Sequence, residues 1–284
     1  MAKILEGKEE SKRIIAEQTV SVSKLASAGF TVGFTMLAVG EDESVMQYAL
    51  SNKRTCEKLG VIANLEIMAE NSTTQDVIRR IEQLNSDSFI NGIMVLTPLP
   101  KHIDTKAVLS SISAEKDIDA QSPFNVYSLY TNQQANFYPC TPYGAIRLME
   151  HYKIDLDGKN VTVIGRSSIV GKPISLMLLN RNATVTICHT HTFDLKRQCL
   201  KADIIVACAG VPKMVKADMV KPGAIVFDIG TNFVDGKLCG DVDFTEVSKV
   251  AEAITPVPGG CGPMTVAIMA ENIVNAAKRQ HKIK

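Results

Sequence analysis

Two hydrophobic periodicities alternate along the chain, one typical of helices and one of strands. Segments with apolar residues three or four positions apart alternate with short runs rich in valine, isoleucine and threonine. Gly60 is expected to end the second helix, and Asn71-Ser72-Thr73 to cap the third. The predicted elements up to residue 100 are helices over Lys8–Ser27, Glu43–Leu59 and a segment with Val77, Ile78, Ile81 and Leu84 on one face, and strands over Thr31–Val39, Val61–Met68 and Ile93–Leu96.

The pattern restarts at Pro139, which places a predicted domain boundary near residue 140. Thr141 is predicted to be the N-cap and Pro142 the first residue of a helix that includes Tyr143–Tyr152. Short β-branched runs separated by helical patterns then predict a parallel sheet with crossover helices. These runs are Asn160–Ile164, Thr184–Cys188, Ile204–Ala207 and Ala224–Phe227, and a last helix is predicted over Met264–Lys284.

Composition narrows the class of protein. The 284 residues carry 31 Lys+Arg and 30 Asp+Glu, a net charge of +1, which disfavours nucleic acid or an anionic membrane as partner. Apolar runs such as Ile204–Val211 are far shorter than the roughly 18–20 residues of a membrane span. The first residues, MAKILEGKEESKR, are too charged for a signal peptide, so we expect a cytoplasmic protein. Seven widely spaced cysteines without a CxxC pair indicate neither a disulfide framework nor a zinc site.

A glycine-flanked turn follows the predicted strand Asn160–Ile164. It reads Gly165-Arg166-Ser167-Ser168-Ile169-Val170-Gly171-Lys172-Pro173 and leads into an apolar helix. A tight turn of this kind lets backbone N–H groups approach a pyrophosphate at the positive end of a helix. Because Ser167 stands where G-x-G-x-x-G has its second glycine, a purely structural turn remains the alternative.

The side chains around this turn favour NADP over NAD. Arg166 adds a guanidinium and Thr190 a hydroxyl, both suited to a 2′-phosphate, and no acidic residue ends the second strand to hold a ribose 2′-hydroxyl. His189 and His191 are interpreted as polar loop residues near the cofactor. A metal site is not predicted, because no third ligand lies within sequence reach.

The segment from Thr255 to Thr265, TPVPGGCGPMT, describes a rigid loop that brings backbone close to a ligand. It closely resembles the PGGVGPMT signature of the methylenetetrahydrofolate dehydrogenase/cyclohydrolase (FolD) family. Further segments match in the family's order, and the resemblance covers essentially the whole chain. These are Thr97-Pro98-Leu99-Pro100, Lys116-Asp117-Ile118-Asp119, Pro139-Cys140-Thr141-Pro142, the turn at residues 165–173 and Asp228-Ile229-Gly230-Thr231-Asn232.

The resemblance implies an α/β fold with two domains flanking a cleft, the C-terminal one a Rossmann-like parallel sheet. Residues 1–140 would form a folate-binding catalytic domain on which the C-terminal helix 266–284 packs, and residues 141–265 the NADP-binding domain. A homodimer made through the Rossmann-like domains is expected. Family members commonly oxidise 5,10-methylenetetrahydrofolate with NADP and then hydrolyse the methenyl cation to 10-formyltetrahydrofolate.

The resemblance also assigns residues to the site. Tyr48 is expected to line the folate cleft, and Asp119 to accept N–H bonds from the pterin edge; by themselves they would be a core aromatic and a turn residue. The predicted catalytic positions are Tyr48, Asp119, Asn52 and Leu96. The predicted substrate-binding residues are Tyr48, Asp119, Pro258, Gly259, Gly260 and Pro263. The predicted cofactor-binding residues are Gly165, Arg166, Ser167, Ile169, Val170, Gly171, Thr190 and Thr231.

Two catalytic positions depart from the family pattern. In the helix motif Tyr-x-x-x-Lys, the lysine position is occupied by Asn52, and in Val-Gln-Leu-Pro-Leu-Pro the glutamine position by Leu96. Lys53 is not a substitute, because position i+5 lies about 140° from Tyr48 around a helix whereas i+4 lies about 40° away. Smaller departures are Ala120 for a glycine and Glu43 for a proline.

Hydride loss from the substrate releases no proton and depends on positioning, whereas hydrolysis needs a titratable general base. Neither Asn52 nor Leu96 is one. The sequence therefore predicts an NADP-dependent methylenetetrahydrofolate dehydrogenase with weak or absent cyclohydrolase activity. Three alternatives remain open: a bifunctional enzyme, a non-catalytic folate- or NADP-binding paralogue, and an NADP enzyme acting on another pteridine-like or cyclic one-carbon substrate.

Overall fold

A computed structural model describes residues 1–234 and 236–283; Lys284, the last residue of the predicted C-terminal helix, lies outside the described residues. The α/β fold class is confirmed. The helices are α1 (Lys8–Ser27), α2 (Glu43–Leu59), α3 (Thr74–Ser86), α4 (Thr105–Ser110), α5 (Pro123–Tyr130), α6 (Cys140–His151), α7 (Gly171–Leu179), α8 (Leu195–Lys201), α9 (Phe244–Val247) and α10 (Cys261–Gln280). The strands are β1 (Lys3–Ile4), β2 (Gly33–Val39), β3 (Ile62–Met68), β4 (Gly92–Val95), β5 (Asn160–Ile164), β6 (Thr184–Cys188), β7 (Ile204–Ala207), β8 (Ile225–Asp228), β9 (Asn232–Val234), β10 (Lys237–Cys239) and β11 (Ala253–Ile254).

The chain forms two compact units, which we name by their sheets. The six-strand unit comprises Met1–Lys12 and Pro139–Ile268, and the three-strand unit comprises Arg13–Tyr138 and the C-terminal segment from Met269. The sequence analysis assigned residues 1–12 to the first domain, but they belong to the six-strand unit. The reason is that β1 pairs in parallel with β11, Lys3 opposite Ala253.

The three-strand unit is a parallel sheet in the order β3-β2-β4. Every residue of β2 is buried, and Leu37, Ile81 and Ile93 belong to one hydrophobic cluster between the sheet and its helices. The predicted helix signals are confirmed. Gly60 ends α2 with φ 86°, and Thr73 begins α3 with a reciprocal capping box.

The six-strand unit is a parallel sheet in the order β1-β11-β8-β7-β5-β6. From β5 the chain passes through α7 to β6 on one side and returns to β7 on the other side. The crevice between the carboxyl ends of β5 and β7 is therefore a topological switch point, where open α/β sheets bind ligands. The antiparallel pair β9-β10 stands apart from this sheet.

The start of α6 differs from the sequence prediction. The helix begins at Cys140 with Pro139 as its N-cap, so Thr141 is not the cap and Pro142 is the third helical residue. Proline is tolerated there because the first N–H groups of a helix have no intrahelical acceptor. The Thr141 hydroxyl instead lies 3.3 Å from that of Thr265.

Among residues 1–234 and 236–283, no helix combines the length and apolarity that crossing a membrane would require.

Candidate active site

The turn after β5 is built on two close backbone approaches. Gly165 has φ 128°, and a Cβ added to it would lie 2.4 Å from the carbonyl oxygen of Cys208, at the end of β7. A Cβ on Gly171 would lie 2.4 Å from the carbonyl oxygen of Gly165. Both positions therefore require glycine, and the turn sits directly at the switch point between β5 and β7.

Ser167 ties this turn to the helix that follows it. Its Oγ accepts the N–H groups of Val170 at 3.1 Å and Gly171 at 3.3 Å, and its carbonyl accepts the N–H of Lys172 at 2.9 Å. Helix α7 thus begins immediately behind the serine, with the positive end of its dipole at the turn. Because Oγ already accepts two bonds, the hydroxyl proton is what Ser167 offers an anionic oxygen.

A cavity of about 450 Å³ opens beside this turn. Four predicted cofactor residues, Gly165, Arg166, Ser167 and Thr190, line it together with His189, while Leu195, Val211 and Met214 provide apolar lining. A lining that combines a guanidinium, hydroxyl donors and apolar side chains, next to a turn that leads into a helix, fits a dinucleotide phosphate. The other predicted cofactor residues are not among the cavity-lining residues: Ile169, Val170 and Gly171 continue the turn, and Thr231 lies exposed after β8.

The two histidines after β6 are linked to each other through one ring nitrogen. Nδ1 of His189 accepts the backbone N–H of His191 at 3.1 Å, and the N–H of His189 is donated to Thr192 Oγ1 at 2.8 Å. Burial lowers the pKa of His189, and Arg166 and His191 lower it further. Within the described part of the chain, no three His, Cys, Asp or Glu side chains are grouped to hold a metal ion.

The Pro-Gly loop, residues 255–263, is held by the N-terminal segment. The N–H of Gly7 donates a hydrogen bond to the carbonyl of Gly259 at 2.9 Å, and the hydroxyl of Ser11 donates one to the carbonyl of Pro263 at 2.9 Å. A Cβ on Gly7 would lie 2.2 Å from the carbonyl oxygen of Gly260. Sequence reasoning missed Gly7 and Ser11; the available signal was a glycine directly before a long helix.

Two buried aspartates organise the loops after β7 and β8. The sequence analysis included Asp228 in a matching segment without giving it a role, and it missed Asp241. Asp228 accepts the N–H groups of Gly230, Asp241 and Val242 at 2.9–3.0 Å. Asp241 accepts the N–H of Ala209 at 2.6 Å and two further donors. Burial raises the pKa of Asp228 to about 6 against the three N–H bonds that lower it.

In the three-strand unit, the buried face of α2 carries Asn52. That face consists of Val45, Ala49, Asn52, Cys56 and Leu59. Asn52 is 1% exposed, and its Nδ2 is enclosed without a hydrogen-bond partner among the described residues. Tyr48, one turn earlier, is 41% exposed, and Nζ of Lys53 lies 3.9 Å from Oε1 of Glu57 on the outer side of the helix.

Leu96 and Asp119 follow neighbouring extended segments of the same unit. Leu96, directly after β4, is 4% exposed, and its N–H donates a hydrogen bond to the carbonyl of Leu37 at 2.8 Å. Asp117 forms a parallel bridge with Ile93 of β4, so Asp119, two residues on, comes beside the carboxyl end of that strand. The structure thus brings Asp119 and Leu96 to one edge of the sheet.

The turn that carries Asp119 is fixed from several sides. The carboxylate of Asp117 accepts the N–H of Ser122 at 2.7 Å and Nδ2 of Asn125 at 2.9 Å. Nδ2 of Asn272, on α10, donates a hydrogen bond to the carbonyl of Ile118 at 2.8 Å. Asp119 itself is half-buried, and the backbone of the turn that carries it is held in a defined place by these bonds.

Known proteins share this architecture over the whole chain. The family model of the tetrahydrofolate dehydrogenase/cyclohydrolase catalytic domain matches residues 5–119, and that of the NAD(P)-binding domain matches residues 139–281. The bifunctional protein FolD of Moorella thermoacetica is 45% identical over 279 residues, 98% of this chain and 99% of that protein.

Two solved structures extend the likeness to three dimensions. The bifunctional FolD enzyme of Campylobacter jejuni, a methylenetetrahydrofolate dehydrogenase/cyclohydrolase, has a TM-score of 0.96 and 41% identity, covering 98% of this chain and 99% of that one. The Trypanosoma brucei dehydrogenase-cyclohydrolase, solved with NADP cofactor and an inhibitor, has a TM-score of 0.94 and 33% identity over 99% of each chain.

Proposed function

Because the chain belongs to the tetrahydrofolate dehydrogenase/cyclohydrolase family, we propose that it oxidises 5,10-methylenetetrahydrofolate with NADP and hydrolyses the methenyl product weakly or not at all. It is an enzyme of folate one-carbon metabolism with NADP as cofactor. The observation that carries the finer part of the proposal is the burial of Asn52, the residue that we assign to the position of the family's lysine.

Oxidation requires binding and orientation from this chain. The methylene carbon loses hydride with both electrons, and the product is a resonance-stabilised cation, so no protein group must move a proton. When bound, NADP supplies the hydride acceptor. We assign its phosphates to Ser167, the start of α7 and Arg166 with Thr190. Asp119 is assigned to the pterin, because a carboxylate accepts two N–H bonds from such a ring.

Hydrolysis requires a group that accepts a proton, in addition to binding and orientation. Water must attack the cation and lose a proton to a base whose pKa lies near neutrality, a role that a desolvated lysine fills. Asn52 has no proton to exchange near pH 7, and Leu96 makes no side-chain hydrogen bond. Lys53 lies next to Asn52 in sequence, but α2 is continuous and directs it towards Glu57. These positions support a dehydrogenase that releases the methenyl compound.

The second candidate is the bifunctional enzyme, which is favoured by the names of relatives at 44–45% identity. The two candidates differ in one measurement. The purified protein, given methylenetetrahydrofolate and NADP, should reduce NADP while the absorbance of the methenyl cation accumulates. Methenyltetrahydrofolate added directly should disappear at the buffer rate. Hydrolysis well above that rate would establish the bifunctional enzyme, and cofactor binding without any turnover would establish a binding paralogue.

We assign folate to the three-strand unit and NADP to the six-strand unit, close to the predicted domains 1–140 and 141–265. The homodimer and the cytoplasmic location stay predictions. Light scattering of the purified protein tests the first, and fractionation of the source cells tests the second.

A further inference from the structure

The loop after β7 forms one wall of the cavity beside the cofactor turn. We call residues 208–214 the β7 loop; its members Cys208, Ala209, Val211 and Met214 line the cavity. None of the residues of the β7 loop belongs to a helix or strand in the described structure. Because the loop has no ladder of its own, bonds to other segments have to fix its position.

The far end of the β7 loop is held by the backbone of residues 240–243. Directly after the loop, the N–H of Val215 donates a hydrogen bond to the carbonyl of Asp241 at 3.0 Å, and the carbonyl of Val215 accepts the N–H of Asp243 at 2.9 Å. Val215 also forms a parallel bridge with Val242. These backbone bonds leave the near end of the loop, next to β7, to be held in another way.

The side chain of Asp241 holds this near end. Its Oδ2 accepts the N–H of Ala209 at 2.6 Å and the N–H of Gly210 at 2.9 Å, while its Oδ1 accepts Nδ2 of Asn232 at 2.8 Å. Asp241 is 0% exposed, so water does not compete for these bonds. Hydrogen bonds to a buried carboxylate are among the stronger ones in proteins, and losing one partner leaves charge uncompensated.

The carboxylate of Asp241 is itself fixed in place. A Cβ on Gly230 would overlap with Oδ1 of Asp241, so backbone packs directly against the carboxylate. The N–H of Asp241 donates a hydrogen bond to Oδ1 of Asp228 at 3.0 Å, and the N–H of Asp228 donates one to Oγ1 of Thr255 at 2.7 Å. The acceptor for the β7 loop is therefore part of a buried and closely packed network.

We infer that Asp241 is a positioning residue for the cofactor, because it holds the β7 loop in its binding conformation before the cofactor arrives. The inference rests on the proposed placement of NADP in this cavity. Binding to a preorganised loop avoids the cost of ordering it. Val211 and Met214 give the loop an apolar surface that suits the parts common to NADP and NAD. Loss of the Asp241 carboxylate should therefore weaken both cofactors alike, unlike loss of Arg166.

The first test is Asp241→Asn in the full chain. The introduced amide has the same shape but only one acceptor atom, so its NH₂ group must face either the loop N–H groups or Nδ2 of Asn232, which are all donors. The calorimetric dissociation constants of NADP and NAD should both rise about tenfold or more. The KM for NADP should rise with them, whereas kcat and the KM for methylenetetrahydrofolate should change little.

Asp243→Asn is the matched control, since it makes the same substitution two positions along the same segment. The carboxylate of Asp243 pairs with Nζ of Lys216 at 3.0 Å and does not bond the β7 loop. Both dissociation constants should stay within about twofold of wild type.

A rescue variant separates positioning from general stability. In Asp241→Asn combined with Asn232→Asp, the introduced amide can accept both loop N–H groups through its oxygen and donate its NH₂ to the introduced carboxylate. The dissociation constants should return to within about threefold of wild type. A merely structural role would lower the unfolding midpoint of Asp241→Asn at unchanged cofactor affinity.

One measurement needs no variant. In the cofactor-free wild type, the amide protons of Ala209 and Gly210 should exchange with solvent at least about 100-fold more slowly than in an unstructured chain. Exchange at the unstructured rate would overturn the inference. So would wild-type affinity in Asp241→Asn, or a rescue variant that folds like wild type yet binds as weakly as the single variant. Wild-type protein that binds neither NADP nor NAD would overturn the proposed function, and this inference with it.

Discussion

Introducing the family's lysine and glutamine tests whether the lack of a general base is the reason for weak or absent hydrolysis. The changes are Asn52→Lys, Leu96→Gln and the two together. Both positions are nearly inaccessible, 1% and 4% exposed, so the new side chains would be enclosed by the three-strand unit. Because the side chain at 52 lies on the buried face of α2, a lysine there is desolvated, as a general base near neutrality must be.

The cost of that desolvation can be stated. Lowering a lysine pKa from about 10.4 to about 7 corresponds to about 4–5 kcal/mol of unfolding free energy at neutral pH. For a chain of this size, that loss is roughly 10 °C in the unfolding midpoint. A glutamine at 96 that hydrogen-bonds the amine should return about 1 kcal/mol of it. The double variant should thus be more stable than the sum of the single variants predicts.

The activity should follow the same coupling. A positioned general base contributes about 10²–10⁴-fold, so the double variant should hydrolyse methenyltetrahydrofolate at least about 100-fold faster than wild type. Asn52→Lys alone should gain much less, because its amine lacks an orienting partner. The assay is the decay of methenyl absorbance, with NADP reduction as the check that the site remains intact.

Lys53→Gln is the matched control, since Lys53 faces Glu57 and should affect neither reaction. Wild-type hydrolysis that disappears in Lys53→Gln would refute the assignment of positions on α2. A double variant that folds and oxidises methylenetetrahydrofolate normally yet gains no hydrolysis would show that a difference at another position prevents the hydrolysis.

Four further outcomes are expected. Arg166→Ala should raise the dissociation constant for NADP about tenfold or more with little change for NAD, because a charge-assisted contact to the 2′-phosphate is lost; equal weakening of both would remove Arg166 from that role. Asp119→Ala should abolish NADP reduction with methylenetetrahydrofolate while calorimetric NADP binding persists; unchanged kinetics would exclude Asp119 from the site. Gly7→Ala should lower the unfolding free energy by about 1–3 kcal/mol through its backbone clash, whereas Gly262→Ala, which meets no atom within 4 Å in the first turn of α10, should be neutral or gain about 0.5 kcal/mol in denaturant melts. The carboxyl of Asp228 should show a pKa of about 6 by NMR in the folded protein, against an ordinary pKa of 3.8. Its contribution to the unfolding free energy is therefore greatest below pH 3.8, and about 3 kcal/mol of it is lost as pH rises through 6. A measured pKa near 3.8 would contradict this expectation.

Local signals in the sequence were enough to predict most of the helices. Helices α1 and α2 begin and end where their periodicity and the stop at Gly60 predict, because capping and helix hydrogen bonds join residues only a few positions apart. The same period is sufficient to direct position 52 inward and position 53 outward. The glycine turn at 165–171 was recognisable for a similar reason, since strand, turn and helix are contiguous.

Contacts between distant segments needed the tertiary structure. Strand β1 is only two residues long, and it exists because its edge pairs with β11, some 250 positions away. Its pairing carries Gly7 and Ser11 to the Pro-Gly loop, which their own sequence context does not indicate.

Burial likewise is a property of the folded chain. The elevated pKa of Asp228 and the exclusion of solvent from Asn52 arise from side chains far away in sequence. The amino-acid sequence by itself determined the faces of the helices and the glycine turn after β5, since helix period and turn chemistry are local. How each residue is solvated and what it contacts was decided by packing, because burial and strand pairing join residues that the sequence keeps apart.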